Sequence, residues 1–221
     1  EDGTNVMYTT VKGIPPVFHV IDLDHHRLVR SIPLEAGDVW SHIVLPNGKV
    51  YIATNGQLWE YDGQTKKVEK VFTYDGETVF WELDFDENGQ IYIGTYPGGK
   101  ILRYDPMTRD VKDYGRLSDK AGASYIRSIA YSQGFIYGGT NHGEIFKVDI
   151  STGEKESLAS ALKETGFVYD LHIVDDQLLL ARFDTPEKRY VYDLRKNEWS
   201  DVVFENSTKG LPIPTESHNG K

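Results

Sequence analysis

The chain has 221 residues, of which 39% are hydrophobic and 12% aromatic, and this suits one or two globular domains with a buried core. It has no cysteine, which excludes disulfides, thiolate catalysis and cysteine-ligated metals, and no run approaches the roughly 20 apolar residues of a membrane-spanning helix. The net charge is −10 without a basic run, so we expect no nucleic-acid partner.

In chain order, the sequence repeats one pattern: two predicted strands in which apolar and polar residues alternate, joined by a turn. The copies are NVMYTTVKGIPPVFHVID (5–22), GKVYIATNGQLWEYD (48–62), GQIYIGTYPGGKILRYD (89–105), GFIYGGTNHGEIFKVD (134–149) and the weaker DQLLLARFDTPEKRYVYD (176–193). Their last residues are Asp22, Asp62, Asp105, Asp149 and Asp193, at intervals of 40, 43, 44 and 44 residues. A period of this length indicates a repeat architecture.

Each full unit contains two further strands. An aromatic-containing strand precedes the hairpin, as in VWSHIVL (39–45), and a more polar strand follows it, as in KKVEKVFTY (66–74). Asn47-Gly48 and Asn88-Gly89 supply the residues that tight hairpin turns need. Four-stranded units with this period predict an all-β fold, a β-propeller of four-stranded antiparallel blades.

We expect a single domain over 1–221 with about five blades. The predicted blades are approximately 1–36 plus 210–221, 37–76, 77–121, 122–165 and 166–209. The chain opens in the second strand of a unit, and 210–221 resembles a first strand, so pairing of the terminal strands predicts a closed, monomeric ring. The alternative is a fragment of a larger propeller with six to eight blades.

The repeat identifies a type of propeller. Gly-x-Ile-Tyr-x-Gly-Thr, a glycine turn, Ile-x-x-Tyr-Asp and Thr-Gly resemble the quinoprotein-, NHL- and streptogramin-lyase-like propellers, and also the propeller domains of some secreted polysaccharide lyases. The Trp-rich motif of quinoprotein dehydrogenases is missing, and we expect no cofactor. The resemblance implies a secreted or cell-surface protein of bacterial type, with a cytoplasmic location as the alternative.

Candidate site residues are expected on the first strands, which line the central channel of a propeller. The predicted ligand-binding residues are Trp40, Trp81, Glu82, Tyr125 and Asp170, with Tyr96 and His142 as lesser rim contacts, and the predicted catalytic residues are His42, Arg127, Tyr169 and His172. Structural alternatives stand beside these: the two histidines as satisfied channel residues, Glu82 and Arg127 as an ion pair between blades, and the aromatic residues as packing between blades.

Three functions remain open at this point. The first is a rigid binding module that presents one rim to a carbohydrate or protein partner. The second is a polysaccharide lyase, because resemblance to propeller lyases implies a His/Tyr/Arg set that neutralises a uronic-acid carboxylate and removes a proton. The third is a structural domain of a larger surface protein. No metal site is expected, since the calcium-loop-like DFDENGQIYIGT (84–95) ends on Thr95 where glutamate is needed.

Overall fold

A computed structural model of the chain describes residues 3–158, 162, 166–184 and 187–205. Within that range nineteen strands form five antiparallel sheets, and we call these sheets blades 1 to 5 in chain order. Blades 2 to 5 have four strands each, and three strands of blade 1 are described. The predicted all-β propeller of four-stranded antiparallel blades is confirmed. The predicted closing segment 210–221 lies outside the described residues.

The strands follow one another in space as they do in sequence. Blade 1 contains β1 (Val6–Val11), β2 (Val17–Asp22) and β3 (Arg27–Pro33), and blade 2 contains β4 (Val39–Val44), β5 (Val50–Thr54), β6 (Gln57–Asp62) and β7 (Lys67–Thr73). Blade 3 contains β8 (Val79–Phe85), β9 (Ile91–Tyr96), β10 (Lys100–Tyr104) and β11 (Val111–Arg116), and blade 4 contains β12 (Ile126–Ser132), β13 (Phe135–Thr140), β14 (Ile145–Asp149) and β15 (Lys155–Ser157). Blade 5 contains β16 (Val168–Val174), β17 (Leu178–Asp184), β18 (Glu187–Asp193) and β19 (Glu198–Glu205).

The hydrophobic core lies between neighbouring blades. Phe18 and Tyr61 pack between blades 1 and 2, whereas Phe80 and Tyr104 pack between blades 2 and 3. Two comparable clusters lie between blades 3 and 4 and between blades 4 and 5. Because each inner blade has a neighbour on both sides, a second strand such as β5 is buried on both faces and reads as one continuous apolar run.

The repeated aspartate caps the turn between the third and fourth strands of every blade. In each copy the Asp carboxylate accepts hydrogen bonds from the backbone N–H groups two and three residues later. The residue four positions on then has a positive φ; these residues are His26, Lys66, Arg109, Gly153 and Asn197. The 44-residue period is therefore visible because each blade needs this turn.

The first strands of blades 2 to 5 stand side by side. β4 lies beside β8, β8 beside β12, and β12 beside β16. The loops between second and third strands lie beside the starts of the first strands: Gly98 N–H donates to the carboxylate of Glu77, and the N–H groups of Ser124 and Tyr125 donate to Oδ1 of Asn141. At one end of the first strands, the loops that lead into these strands therefore lie beside the loops between the second and third strands.

Candidate functional site

A β-bulge interrupts the start of every described first strand at the same position. The strand pairing skips one residue between Val39 and Ser41, between Phe80 and Glu82, between Ile126 and Ser128, and between Val168 and Asp170. The bulged residues are Trp40, Trp81, Arg127 and Tyr169. A bulge bends its strand and re-aims one side chain, so four blades present one unpaired residue each at the same end.

These four side chains contact one another in blade order. The ring centroids of Trp40 and Trp81 are 4.4 Å apart in an edge-on arrangement. Cζ of Arg127 lies 4.7 Å from the ring centroid of Trp81 and 4.7 Å from that of Tyr169. Both contacts have cation–π geometry. The bulges thus build a ladder of side chains from blade 2 to blade 5.

A further cation lies at each end of the ladder. Nζ of Lys12 is 3.7 Å from the ring centroid of Trp40 and 3.5 Å from a carboxylate oxygen of Asp38. Cζ of Arg182 is 4.4 Å from the ring centroid of Tyr169, and its Nη1 is 3.7 Å from Oε1 of Glu187. Each of these end cations therefore has an acidic partner.

The loops at this end add more aromatic rings. Tyr96 stacks on Tyr125 with ring centroids 4.1 Å apart, although the two residues belong to blades 3 and 4. Tyr125 lies 5.7 Å from the Trp81 ring and 5.8 Å from the Phe167 ring. Burial and the Tyr96 hydroxyl raise the pKa of Tyr125. We call the set Lys12, Trp40, Trp81, Tyr96, Tyr125, Arg127, Phe167, Tyr169 and Arg182 the aromatic rim.

Several polar atoms of the rim have no hydrogen-bond partner among the described residues. Nε1 of Trp40, Nε1 of Trp81 and Nε of Arg182 are buried in this state. The Arg127 guanidinium, which is partly exposed, has no hydrogen-bonded or ion-paired acceptor in the described part of the chain. Unsatisfied donors at a recessed surface are costly unless a ligand or water accepts from them.

The residue after each bulge is polar in all four blades. Ser41, Glu82, Ser128 and Asp170 are equivalent by their strand pairing. Burial raises the pKa of Glu82 to about 8; the nearby charge of Arg127 opposes this rise and that of Asp170 adds to it. The two side chains of Glu82 and Arg127 thus interact across a gap, without the direct ion pair that the sequence left open.

A cavity of about 670 Å³ begins at Glu82 and Asp170, directly after the bulges, and extends toward the other end of the first strands. Its polar lining includes Asp84, Asp170 and His172, and its apolar lining includes Leu83 and Ile129. Part of the acidic lining is already engaged, since Oδ2 of Asp84 accepts the Tyr131 N–H at 2.6 Å. None of His42, Arg127 and Tyr169 lines this cavity. No group of three or more His, Asp or Glu side chains suited to a metal ion occurs among the described residues.

His42 joins blade 2 to blade 1. Its Nε2 lies 3.2 Å from the backbone carbonyl oxygen of Tyr8, which accepts a hydrogen bond from the ring. Burial lowers the pKa of His42, and the Tyr8 carbonyl only partly offsets this effect. The neutral imidazole is therefore held by the protein itself, which agrees with the structural interpretation of this residue.

The structure brings part of the predicted site together. The aromatic rim includes six of the predicted residues: Trp40, Trp81, Tyr96, Tyr125, Arg127 and Tyr169. Glu82 and Asp170 directly follow the bulged residues Trp81 and Tyr169. His42 and His172 lie outside the rim. His142 lies against the segment before β12, with Nε2 beside Gly122. Of the four predicted catalytic residues, only Arg127 and Tyr169 are in contact. Their catalytic role stays a prediction.

Sequence reasoning missed Lys12, Phe167 and Arg182. A signal for Arg182 exists in the repeat: strand pairing places it where the other blades have Ala53, Gly94 and Gly139. Blade 5 therefore has a long cationic side chain at a position where each of the other three blades has alanine or glycine. Lys12 and Phe167 lie in loops whose lengths differ between copies, and the repeat carries no signal for them.

Comparisons with known proteins support the fold. No family model and no curated protein matches the chain. A chain in the crystal structure of the mitotic checkpoint complex aligns with a TM-score of 0.74 and 14% identity over 93% of this chain and 62% of its own. Virginiamycin B lyase from Staphylococcus aureus aligns with a TM-score of 0.72 and 14% identity over 87% of this chain and 64% of its own. The extracellular domain of a putative one-component system from B. thetaiotaomicron aligns with a TM-score of 0.68 and 19% identity over 90% of this chain and 26% of its own.

These identities establish the fold and no more. The chain spans less than two thirds of the length of each of these neighbours. No helix in the described part of the chain is long and apolar enough to cross a membrane. The resemblance to propellers that the repeat predicted, with a streptogramin lyase among the neighbours, is confirmed at the level of architecture: this chain has the β-propeller fold.

Proposed function

We propose that this chain is a β-propeller binding module whose aromatic rim holds a protein partner. The observation that carries the proposal is the ladder of Trp40, Trp81, Arg127 and Tyr169, built from one bulged residue of each of four blades. Tryptophan, tyrosine and arginine are the residues that dominate binding energy in protein interfaces, particularly where they cluster in a recessed centre.

The chemistry of the rim favours binding without catalysis. A base for a lyase needs a free ring nitrogen or hydroxyl near the neutralising cation. His42 is engaged by the Tyr8 carbonyl, and His172 lines the cavity that extends toward the other end of the first strands. Of the candidate bases only Tyr169 contacts Arg127, and its ring packs between Arg127 and Arg182. Neither His42 nor His172 joins this pair, so we rank the lyase below the binding module.

The packing of the rings favours a protein over a carbohydrate. A sugar platform needs an aromatic face that is open to stack on a sugar ring. The Trp81 ring already contacts Trp40, Tyr125 and Arg127, and Tyr169 lies between two arginine side chains. Side chains of a partner protein can instead fill the gaps between such rings.

Selection of random displayed peptides on the intact chain tests the proposal. We expect selected peptides to lose about tenfold or more in affinity with Tyr169→Ala, whose side chain is 41% exposed and carries little of the core. Met107→Ala, which removes an 88% exposed apolar side chain from an outer turn, is the matched control and should leave affinity unchanged. Peptides that bind Tyr169→Ala as tightly as the natural chain would place the binding surface elsewhere.

The same samples test the lyase. Incubation with uronic-acid polysaccharides should give no rise in the ultraviolet absorbance of unsaturated products. A rise that disappears in Tyr169→Phe and His172→Ala would replace the binding module by the enzyme.

A further inference from the structure

Arg127 differs from Arg116 and Arg27, whose guanidinium groups have acceptors in the protein. Arg116 donates to the carbonyls of Ser118, Lys120 and Ala123, and Arg27 donates to Asp22. Arg127, in contrast, lies against the rings of Trp81 and Tyr169, each at 4.7 Å from Cζ to the centroid, and interacts with Glu82 only through their charges. Its five N–H donors are therefore without an acceptor in the part of the chain that the structure describes.

The rim holds two more cations, and both are neutralised. Lys12 is 3.5 Å from Asp38, and Arg182 is 3.7 Å from Glu187. Arg127 lies in the middle of the ladder and makes no such pair with any residue that the structure describes. A ligand that meets the rim therefore encounters one available guanidinium, flanked by aromatic rings.

The acid beside Arg127 does not supply its missing counter-ion at neutral pH. Burial, against the opposing charge of Arg127 and with a contribution from the charge of Asp170, raises the pKa of Glu82 to about 8. Glu82 therefore retains its proton in most molecules near pH 7. The guanidinium keeps its charge at every physiological pH.

We propose that Arg127 binds a carboxylate of the partner, so that the aromatic rim recognises an acidic peptide segment. The inference rests on the proposed function and names the chemistry of its ligand. A guanidinium and a carboxylate form paired, charge-assisted hydrogen bonds in one plane. The rings of Trp81 and Tyr169 stabilise the charge, and they also restrict the side chain before the ligand arrives.

An acidic peptide also matches the chemical composition of the rim. One carboxylate on Arg127 leaves the neighbouring ligand groups to contact Trp40, Tyr125 and Tyr169. A peptide places an apolar or aromatic side chain next to an acidic one and so satisfies both needs. A uronic-acid saccharide carries the same carboxylate, and it is the competing ligand class in the test.

The experiment uses the intact chain and three probes: hexaglutamate, hexaglutamine and oligogalacturonate. Binding is followed by the indole N–H signals of Trp40 and Trp81 in NMR titrations. We expect hexaglutamate to shift both signals in a way that weakens with added salt, and hexaglutamine to leave them in place. Arg127→Gln should lose about tenfold or more in affinity for hexaglutamate, and Arg127→Lys should lose part of it.

Arg109→Gln is the matched control. Arg109 is 69% exposed in an outer turn and lies 3.6 Å from the exposed Glu69, so its loss should change affinity less than twofold. Far-ultraviolet circular dichroism and melting curves verify that each variant folds. Equal hexaglutamate binding by the natural chain and Arg127→Gln, or no shift at all with hexaglutamate, would overturn the inference.

Two further outcomes separate the inference from the proposed function. If displayed peptides need Tyr169 but are neutral and indifferent to Arg127, the acidic ligand is wrong and the binding module stands. If only oligogalacturonate shifts the two indole signals, in an Arg127-dependent way, a saccharide replaces the peptide and the protein partner itself is wrong.

Discussion

The rings of Trp40 and Trp81 lie 4.4 Å apart because each occupies the bulge of the first strand in consecutive blades. The same bulge places Arg127 and Tyr169 next in the series. Blades 2 to 5 therefore share one backbone bulge, while the side chain at the bulge is tryptophan, arginine or tyrosine. The bulge is common to the four blades, and the side chains it carries are the part that function can change.

The raised pKa of Glu82 gives a prediction for stability against pH. Its folded pKa of about 8 lies above the ordinary value of 4.5, so between those values the folded chain keeps a proton that the unfolded chain releases. Stability therefore falls as the pH rises through this window. Glu82→Gln should match the natural chain near pH 5 and exceed it by roughly 1–3 kcal/mol near pH 9, as measured by urea unfolding. Parallel curves for the two proteins across this range would contradict the assignment.

His42 gives the opposite dependence. Its folded pKa lies below the ordinary value of 6.5, so the unfolded chain takes up a proton first as the pH falls. The stability that neutral His42 contributes is present above pH 6.5 and declines below it. His42→Gln, which keeps a donor for the Tyr8 carbonyl, should lose less melting temperature between about pH 7.5 and about pH 5.5. His26→Asn, at an exposed side chain in the turn between β2 and β3, is the control and should follow the natural chain.

Gly94 tests the packing between blades 3 and 4. A Cβ added there lies 2.6 Å from the backbone oxygen of Ile126, which cannot move without disturbing β12. Gly94→Ala should destabilise the chain by about 1–3 kcal/mol in denaturant unfolding. Ala53→Gly at the equivalent position of blade 2, which removes one buried methyl group and adds backbone freedom without a clash, should cost about 1 kcal/mol. Equal effects of the two changes would mean that steric contact at Gly94 is unimportant.

Gly153 tests the turn that defines the repeat. Its φ is 81°, and Asn197 has a φ of 55° at the same turn position in blade 5. Gly153→Asn should therefore change stability by less than about 0.5 kcal/mol, because asparagine tolerates this conformation. Gly153→Val should cost about 1–2 kcal/mol. Melting curves that show asparagine as damaging as valine would contradict this account of the turn.

The architecture was predictable because its signals are local. Asp62, Asp105 and Asp149 recur since each carboxylate caps a turn of the same kind, and a short-range hydrogen bond requires aspartate at that position. Apolar alternation then places the hairpins between those aspartates. Both features are written in consecutive residues, so the number of blades in the described chain followed from the sequence.

The site was predictable only in part. The first strands were the correct place to look for Trp40, Trp81, Arg127 and Tyr169, but nothing in the sequence marks a bulge, so their ladder was not foreseen. Tyr96 belongs to the rim because the loop that follows it lies beside the starts of the first strands, and the sequence alone does not show which loops lie at that end. The engagement of His42 by Tyr8 depends on how blade 1 packs on blade 2, a long-range contact that no local pattern encodes.

The four tryptophans of the chain provide the most direct measurement of the central claim. Trp40 and Trp81 belong to the aromatic rim. Trp59 packs between blades 1 and 2, and Trp199 donates its indole N–H to the Leu158 carbonyl at 2.7 Å. An NMR titration with a peptide selected on the intact chain should shift the indole signals of Trp40 and Trp81 and leave those of Trp59 and Trp199 in place. Shifts confined to Trp59 or Trp199 would contradict the assignment of the aromatic rim as the binding surface.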